Sequence, residues 1–326
     1  MSRRWLCLAL AALLLGANAP APASARNPWL AKRVLNIAHQ GGEDEFPSNT
    51  IYAFKRAVRA GADMLELDIG VTKDGHVVVM HDTTVDRTTD GSGTIASKTL
   101  AEMRRLDGAF WFSRGAPHYD HGKRAKAYVF RGIATGKRKP PKGFSRSDFR
   151  VPTLREVMRT FPHRPINIEI KGRTKAETDN EYIKNAEALA KLLVNTKRSD
   201  LVVTSFHQMA VDRFHKLVPR ISLAPGITGA AAFILAGASP GDGVQTLDLP
   251  MTFGTGGAHV QVASPENIKK AHDHGYAWHS WFGDDDIDGP AGWTKLLNWC
   301  ADGIMTSTPT VLEKFFKTHR PPAACG

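Results

Sequence analysis

Eight short apolar runs alternate with helix-like patterns along this chain, and that alternation narrows the fold more than any other feature. The runs are Val34–Ala38, Met64–Ile69, Ile166–Ile170, Leu201–Ser205, Ile221–Ala224, His259–Val262, Ala277–Trp281 and Gly303–Thr306. Between them, Asn49 to Ala60 reads as a helix with Ser48 or Asn49 as its cap and Gly61 just past its end. Leu100–Leu106 and Thr153–Thr160 read as shorter helices, Glu177–Asn195 as the longest, and Pro265–His274 as a helix closed by Gly275. Strands that alternate with helices pair in parallel and bury both faces. Eight of them predict an α/β fold of the (β/α)8 TIM barrel type, for which 326 residues is an ordinary length.

Three segments fall outside the alternation. Lys73-Asp74-Gly75 is a turn signal between Leu65–Val71 and His76–Met80, so strand two is expected to continue as a hairpin that returns His81 to the barrel mouth. Residues 108–150 are rich in Gly, Pro, Lys and Arg but also hold Phe110, Trp111, Phe112, Tyr119, Tyr128, Phe130, Phe144 and Phe149. Loops of this length are functional or disordered, and the aromatic content speaks for order. The expectation is a small insertion after strand two that caps the active-site face. Pro240–Gly257 is a second Gly-rich connection, read as leading into strand six at His259–Val262.

The first residues carry a different signal. Arg3 and Arg4 precede the apolar run Leu6–Leu15, and Ala23-Ser24-Ala25 offers a small-residue cleavage site. This is the pattern of a signal peptide over 1–25, too short to remain as a membrane span. The expected mature chain is a barrel over 26–320 with a tail at 321–326, secreted or periplasmic. Its leader removes two of the 43 basic residues, which lowers the net charge from +11 to +9. Much of that excess lies in Lys123–Lys126 and Lys137–Lys142. A basic surface steers phosphate substrates or meets anionic headgroups, which makes the insertion a candidate membrane-surface contact. Nucleic acid is not indicated, because no aromatic-interleaved basic strand or recognition helix is present. Cys300 and Cys325 remain after cleavage. Both a bridge and two free thiols are compatible with their spacing, because bonding depends on Cα separation.

The chemistry concentrates in residues 36–93. In Glu66-Leu67-Asp68 the carboxylates stand two apart on a strand and share one face. Glu169 lies on the next predicted strand, in Asn167-Ile168-Glu169-Ile170-Lys171. Three carboxylates in apolar surroundings call for a compensating charge, and a hard divalent cation such as Mg²⁺ or Ca²⁺ supplies it. His39 and His81 follow apolar runs at strand ends, where a barrel places catalytic groups. Imidazole can take a proton at one step and return it at another. Lys171 shares the face of Glu169 and can offset phosphate charge; Arg87 either does the same or anchors its loop. Gly41-Gly42 permits close backbone approach to a substrate. Trp281 either walls the substrate site or belongs to the core.

Taken together, His39-x-Gly41, Pro47-x-Asn49-Thr50, Glu66-x-Asp68, His81-Asp82, Arg87-Thr88-Thr89, Pro152-Thr153-Leu154, Glu169-x-Lys171, Trp281 and Asp302-Gly303-Ile304 resemble the glycerophosphodiester phosphodiesterase family. The resemblance covers about residues 33–315. It implies a (β/α)8 barrel, metal ligands at Glu66, Asp68 and Glu169, acid–base histidines at His39 and His81, and a phosphate contact at Lys171. Three positions depart from the family's pattern. Gln40 replaces an arginine, Ser48 a glutamate, and Ser307 an aspartate two residues before Pro309. Gln40 can still hydrogen-bond a phosphoryl oxygen but brings no charge.

The implied function is exported, metal-dependent hydrolysis of a small glycerophosphodiester to an alcohol and sn-glycerol 3-phosphate. Two other readings fit the residues less closely. One is a phospholipase D-like activity on lysophospholipids or sphingolipids, suggested by the aromatic, basic insertion. The other is a non-catalytic phosphodiester- or lipid-binding barrel, suggested by Gln40 and Ser48.

Overall fold

The computed structural model describes residues 27–30, 34–173, 180–255, 258–283 and 286–325. The leader expected at 1–25 lies outside them. The strands are β1 Leu35–Ala38, β2 Met64–Val71, β3 Val77–Val79, β4 Ile166–Ile170, β5 Leu201–Thr204, β6 Ser222–Leu223, β7 Thr246–Pro250, β8 Thr252–Thr255, β9 Ala258–Gln261, β10 Ala277–Trp281 and β11 Gly303–Thr306. The helices are α1 Ile51–Ala60, α2 Leu100–Met103, α3 Leu154–Thr160, α4 Glu181–Leu193, α5 Gln208–Leu217, α6 Ile227–Ala236, α7 Pro265–Asp273, α8 Pro290–Asn298 and α9 Pro309–Phe316.

Eight parallel strands run in the order β6-β5-β4-β2-β1-β11-β10-β7. The remaining gap is spanned by a single bridge, Leu223 to Val244, with Leu223 N–H donating to Gly243 O at 3.1 Å and Gln245 N–H to Leu223 O at 3.0 Å. The barrel is thereby nearly closed, as the strand count predicts. β3 pairs antiparallel with β2, Ile69 opposite Val79, so the expected hairpin forms. Its turn needs Gly75 at φ 81°.

One strand differs from expectation. The sixth barrel strand is β7, Thr246–Pro250, which pairs with β10. The expected strand at His259–Val262 instead forms β9, antiparallel to β8 in a two-stranded hairpin outside the barrel. β7 escapes sequence reading because its inward residues are polar. Thr246 and Asp248 face the interior, while only Leu247 and Leu249 pack outward.

Most of the hydrophobic core lies between the strands and the helices, with Trp278, Trp293, Phe54 and Phe214 wholly buried. A separate plug fills the end of the barrel where the strands begin. Trp29 packs there with Ile37, Met64, Val202, Ala224, Ala277 and Met305. Burying roughly 200 Å² of an aromatic ring is worth up to about 5 kcal/mol. Asn27 holds this segment in place by donating to Gln245 O at 2.6 Å and Gly275 O at 2.9 Å.

Residues 108–150 are ordered around their own aromatic cluster. Phe112, Phe130, Ile133 and Phe149 pack with Phe46, Tyr52 and Ala53 of the first loop and α1. The ring of Tyr52 stacks on Phe149 at 4.5 Å. Lys55 of α1 pairs with Asp148 at 2.8 Å. Cys300 and Cys325 form a disulfide, with Cα atoms 5.2 Å apart. No helix among the described residues is long and apolar enough to cross a membrane.

Candidate active site

The strand register brings the predicted carboxylates together. Asp68 of β2 lies opposite Glu169 of β4, and Glu66 lies opposite Asn167. One oxygen from each of Glu66, Asp68 and Glu169 falls within 4.8 Å of the others. Glu66 and Asp68 are buried, Asp68 completely so, while the Glu169 side chain keeps 12% of its surface exposed. Burial, followed by repulsion from Asp68, pushes Glu66 well above the usual carboxylate range. Burial also raises Glu169, although Lys171 offsets part of that effect. Asp68 behaves oppositely. Burial opposes its charge, but Lys171 and the two histidines outweigh it and hold Asp68 low.

Lys171 reaches both carboxylates, with Nζ 3.2 Å from Asp68 Oδ1 and 2.7 Å from Glu169 Oε1. Those two oxygens nevertheless accept no well-directed hydrogen bond, although they are buried. The ammonium therefore neutralises them by proximity and leaves donor atoms open. A trio of hard oxygens with open lone pairs fits a hard divalent cation.

Backbone and amide groups fix the trio. Gln40 adopts φ 50°, and its N–H donates to Glu66 Oε2 at 2.7 Å. Its side chain is buried with Oε1 unpartnered. Asn49, at φ 57°, donates Nδ2–H to Asp68 Oδ2 at 2.9 Å and accepts from Asp68 N–H at 3.3 Å. The left-handed conformation is what turns its amide onto β2, and Asn tolerates it better than most residues. Thr50, rather than Ser48 or Asn49, caps α1 by accepting from Ala53 N–H. The Gly41-Gly42 pair is required by packing. A Cβ on Gly41 would meet Ala53 Cβ at 2.9 Å, and one on Gly42 would meet Pro309 Cδ at 2.7 Å.

Both histidines stand beside the trio, each with a carboxylate on Nδ1. His39 Nδ1 lies 2.7 Å from Glu43, and its Nε2 lies 3.9 Å from Glu66 Oε2. Burial works against charge on His39, but Glu43 and Glu66 prevail and push it up to about 10. Burial likewise opposes charge on Glu43, and His39 overrides it to hold Glu43 low. His81 Nδ1 lies 2.7 Å from Asp82 Oδ1. Arg87 clasps that same carboxylate, Nε to Oδ2 at 2.6 Å and Nη2 to Oδ1 at 3.0 Å. Despite burial, the His81 and Arg87 contacts hold Asp82 far below the usual range. Arg87 is thus committed through two of its nitrogens to the carboxylate that orients His81.

Tyr119 ties the segment 108–150 to Ser48 of the first loop and to Arg87. Tyr119 Oη accepts from Ser48 N–H at 2.7 Å and donates to Ser48 Oγ at 3.0 Å, and its ring lies 5.0 Å from the Arg87 guanidinium. On the opposite side, Trp281 is partly exposed and lies edge-on to Phe206 at 5.7 Å, while Lys171 Nζ stands 5.4 Å from the Phe206 ring. Phe206 is 41% exposed and lines the mouth with Trp281.

Sequence reasoning missed Glu43, Phe206 and a buried polar chain under the site. Asn167 Nδ2–H donates to Asp248 Oδ2 at 2.6 Å, and Asp248 Oδ1 faces His279 Nδ1 at 3.0 Å. The clue for His279 is its place two residues before Trp281 on one strand, which puts both on the inward face.

Residues 39–311 match the profile of the Glycerophosphoryl diester phosphodiesterase family. A glycerophosphodiester phosphodiesterase of Bacillus subtilis is 27% identical over 290 residues, which is 88% of either chain. Among solved structures, the glycerophosphoryl diester phosphodiesterase domain of a Mycobacterium tuberculosis protein superposes with a TM-score of 0.64 at 16% identity, covering 87% of this chain and 99% of that one. An Oleispira antarctica phosphodiesterase in complex with its product sn-glycerol-3-phosphate superposes with a TM-score of 0.61 at 20% identity, covering 86% of this chain and 96% of that one. With a match that runs from the first histidine to α9, the chain belongs to the glycerophosphoryl diester phosphodiesterase family.

Proposed function

We propose that this chain hydrolyses small glycerophosphodiesters to an alcohol and sn-glycerol 3-phosphate. The observation that carries the reading is the pair of histidine–carboxylate couples, His39–Glu43 and His81–Asp82, on either side of three clustered carboxylates and Lys171. Each couple leaves an imidazole Nε2 free to exchange a proton. One histidine takes a proton from the attacking group, and the other supplies one to the departing alcohol oxygen. Lys171 answers the phosphate charge, and Trp281 with Phe206 walls the organic part of the substrate. Glu66, Asp68 and Glu169 would hold a divalent cation, Mg²⁺ or Ca²⁺, which polarises phosphoryl oxygens when bound. The product found in the Oleispira antarctica relative supports this substrate class.

We further propose that the chain works outside the cytoplasm. The leader pattern of residues 1–25 and the Cys300–Cys325 bridge both support an oxidising compartment. The test of the activity is glycerol 3-phosphate release from glycerophosphocholine, glycerophosphoethanolamine and glycerophosphoglycerol, with Mg²⁺, Ca²⁺ or chelator. Release that depends on the cation and disappears in Glu66→Ala is expected. A folded protein that releases none with any combination would sink the proposal.

A further inference from the structure

Glu43 is absent from the motif set that identifies the family, yet its carboxylate makes one of the shortest side-chain contacts at the site. It lies four residues after His39, across the turn His39–Gly41. Gly42, at φ 90°, reverses the chain there, and its N–H donates to His39 O at 2.7 Å. The two residues that follow are pinned to the start of α9 and the turn before it. Asp44 N–H donates to Ser307 O at 3.2 Å, and the Glu45 carboxylate accepts from Thr310 N–H at 3.0 Å. Glu43 itself accepts from Ser307 Oγ at 3.3 Å through the same oxygen, Oε1, that faces His39 Nδ1 at 2.7 Å. Ser307 is in turn fixed by its N–H on Asp288 Oδ2 at 2.7 Å.

Ser307 is also the position where the chain departs from an aspartate. The hydroxyl there ends one atom short of a carboxylate. An aspartate's carboxyl carbon would sit about where Oγ sits, and its oxygens would extend toward the place now taken by Glu43 Oε1.

We propose that Glu43 is the positioning residue for His39, supplying from the first loop the carboxylate that Ser307 does not supply from the end of β11. A carboxylate on Nδ1 fixes the ring plane and the position of the N–H. It leaves Nε2 facing the reacting groups. The Glu43 carboxylate contacts His39 and Ser307 through one oxygen, so it acts through His39. The inference rests on the phosphodiesterase reading for its kinetic consequence but not for its geometry.

The test uses the mature chain and three variants: Glu43→Ala, Glu43→Gln, and Glu43→Ala combined with Ser307→Asp. The first readout needs no substrate. A ring N–H held by a carboxylate gives a strongly downfield proton resonance, assignable to His39 by its loss in His39→Asn. It is expected in the parent, absent in Glu43→Ala and restored in the double variant. The second readout is steady-state kinetics. Glu43→Ala is expected to lower kcat by between about tenfold and a thousandfold with KM within about twofold, as for loss of a general acid–base group's support. Glu43→Gln keeps the shape and an accepting oxygen, so it should fall between parent and alanine variant and guards against a folding defect. Ser307→Asp should recover most of the kcat lost in Glu43→Ala. Retention of the downfield proton in Glu43→Ala, an unchanged kcat, or no recovery in the folded double variant would each overturn the assignment. A parent that shows the resonance but no turnover would defeat the proposed activity while leaving the Glu43–His39 pairing standing.

Discussion

Replacing Cys325 by serine isolates the contribution of the one disulfide in the described structure. The bridge closes a loop with a sequence separation of 25 residues. In the chain-entropy view, a loop of that length restricts the unfolded ensemble by about 3.5 kcal/mol at 25 °C. In a chain this size each kcal/mol shifts the melting point by roughly 2 °C, so Cys325→Ser should melt about 7 °C lower than the oxidised parent. Cys325 is the better site to change, because Cys300 sits at φ 64° and its replacement would mix in a backbone effect. The bridge lies at the end of the barrel where β11 begins, whereas the candidate site gathers where the strands finish. Turnover at 25 °C should therefore be unchanged. The assay is a thermal melt of parent, reduced parent and variant, with thiol counting by mass. Reduced parent and Cys325→Ser should coincide. A variant that melts within about 1 °C of the oxidised parent would refute the loop-entropy reasoning, and an oxidised parent with two titratable thiols would refute the bridge.

Two further outcomes follow from the site. Asn49→Ala removes both hydrogen bonds to Asp68 and should weaken divalent-cation affinity by about ten- to a hundredfold, read by calorimetric titration. Asn49→Gly, which relieves the left-handed backbone, should recover stability but not affinity, and equal affinity in parent and glycine variant would remove Asn49 from the support of the site. The second outcome concerns pH. Glu66 and Glu169 have raised values in the folded chain, so the fold binds their protons more tightly than the unfolded chain does. Without divalent cation, their contribution to stability is complete below the ordinary value of 4.5 and is lost as pH rises through the folded values. Glu43 and Asp82, which are held low, lose stability only on the acid side of their ordinary values, 4.5 and 3.8. His39 loses its contribution only as pH climbs from 6.5 toward about 10. Metal-free melts between about pH 5 and 6.5 should therefore decline with pH, and added Mg²⁺ should flatten the decline; a flat metal-free profile would contradict the raised carboxylates.

Much of the barrel was legible because its strands are rich in buried apolar residues. Ile37, Leu65, Leu67, Ile168 and Val203 are wholly buried, and such runs stand out in any sequence. The carboxylate trio was legible for the opposite reason, since charge inside an apolar strand contrasts with its surroundings. β7 was not, because Thr246 and Asp248 give its inward face the look of a loop and Pro250 adds a turn signal. Asp248 is polar there because it answers His279 and Asn167, residues far away in sequence. Glu43 was hidden in the acidic run Glu43-Asp44-Glu45, where each side chain takes a different partner: His39, His118 and Thr310. Nothing local distinguishes the three. Arg87 was visible as a cation beside the site, but its commitment to Asp82 depends on how the loop folds back.

The ladders around the barrel are unequal. β2 and β4 share five register pairs, whereas β6 has only two residues and meets its far neighbour through one bridge at Leu223. A cylinder built this way behaves like a cuff with one loose button. Sub-global opening should begin at Ser222–Leu223 and residues 243–245, whose amides would exchange with deuterium sooner than those of 66–69 and 166–170. The loose seam lies two strands beyond β4, so thermal breathing there can admit solvent while the strands bearing Glu66, Asp68 and Glu169 stay laced together.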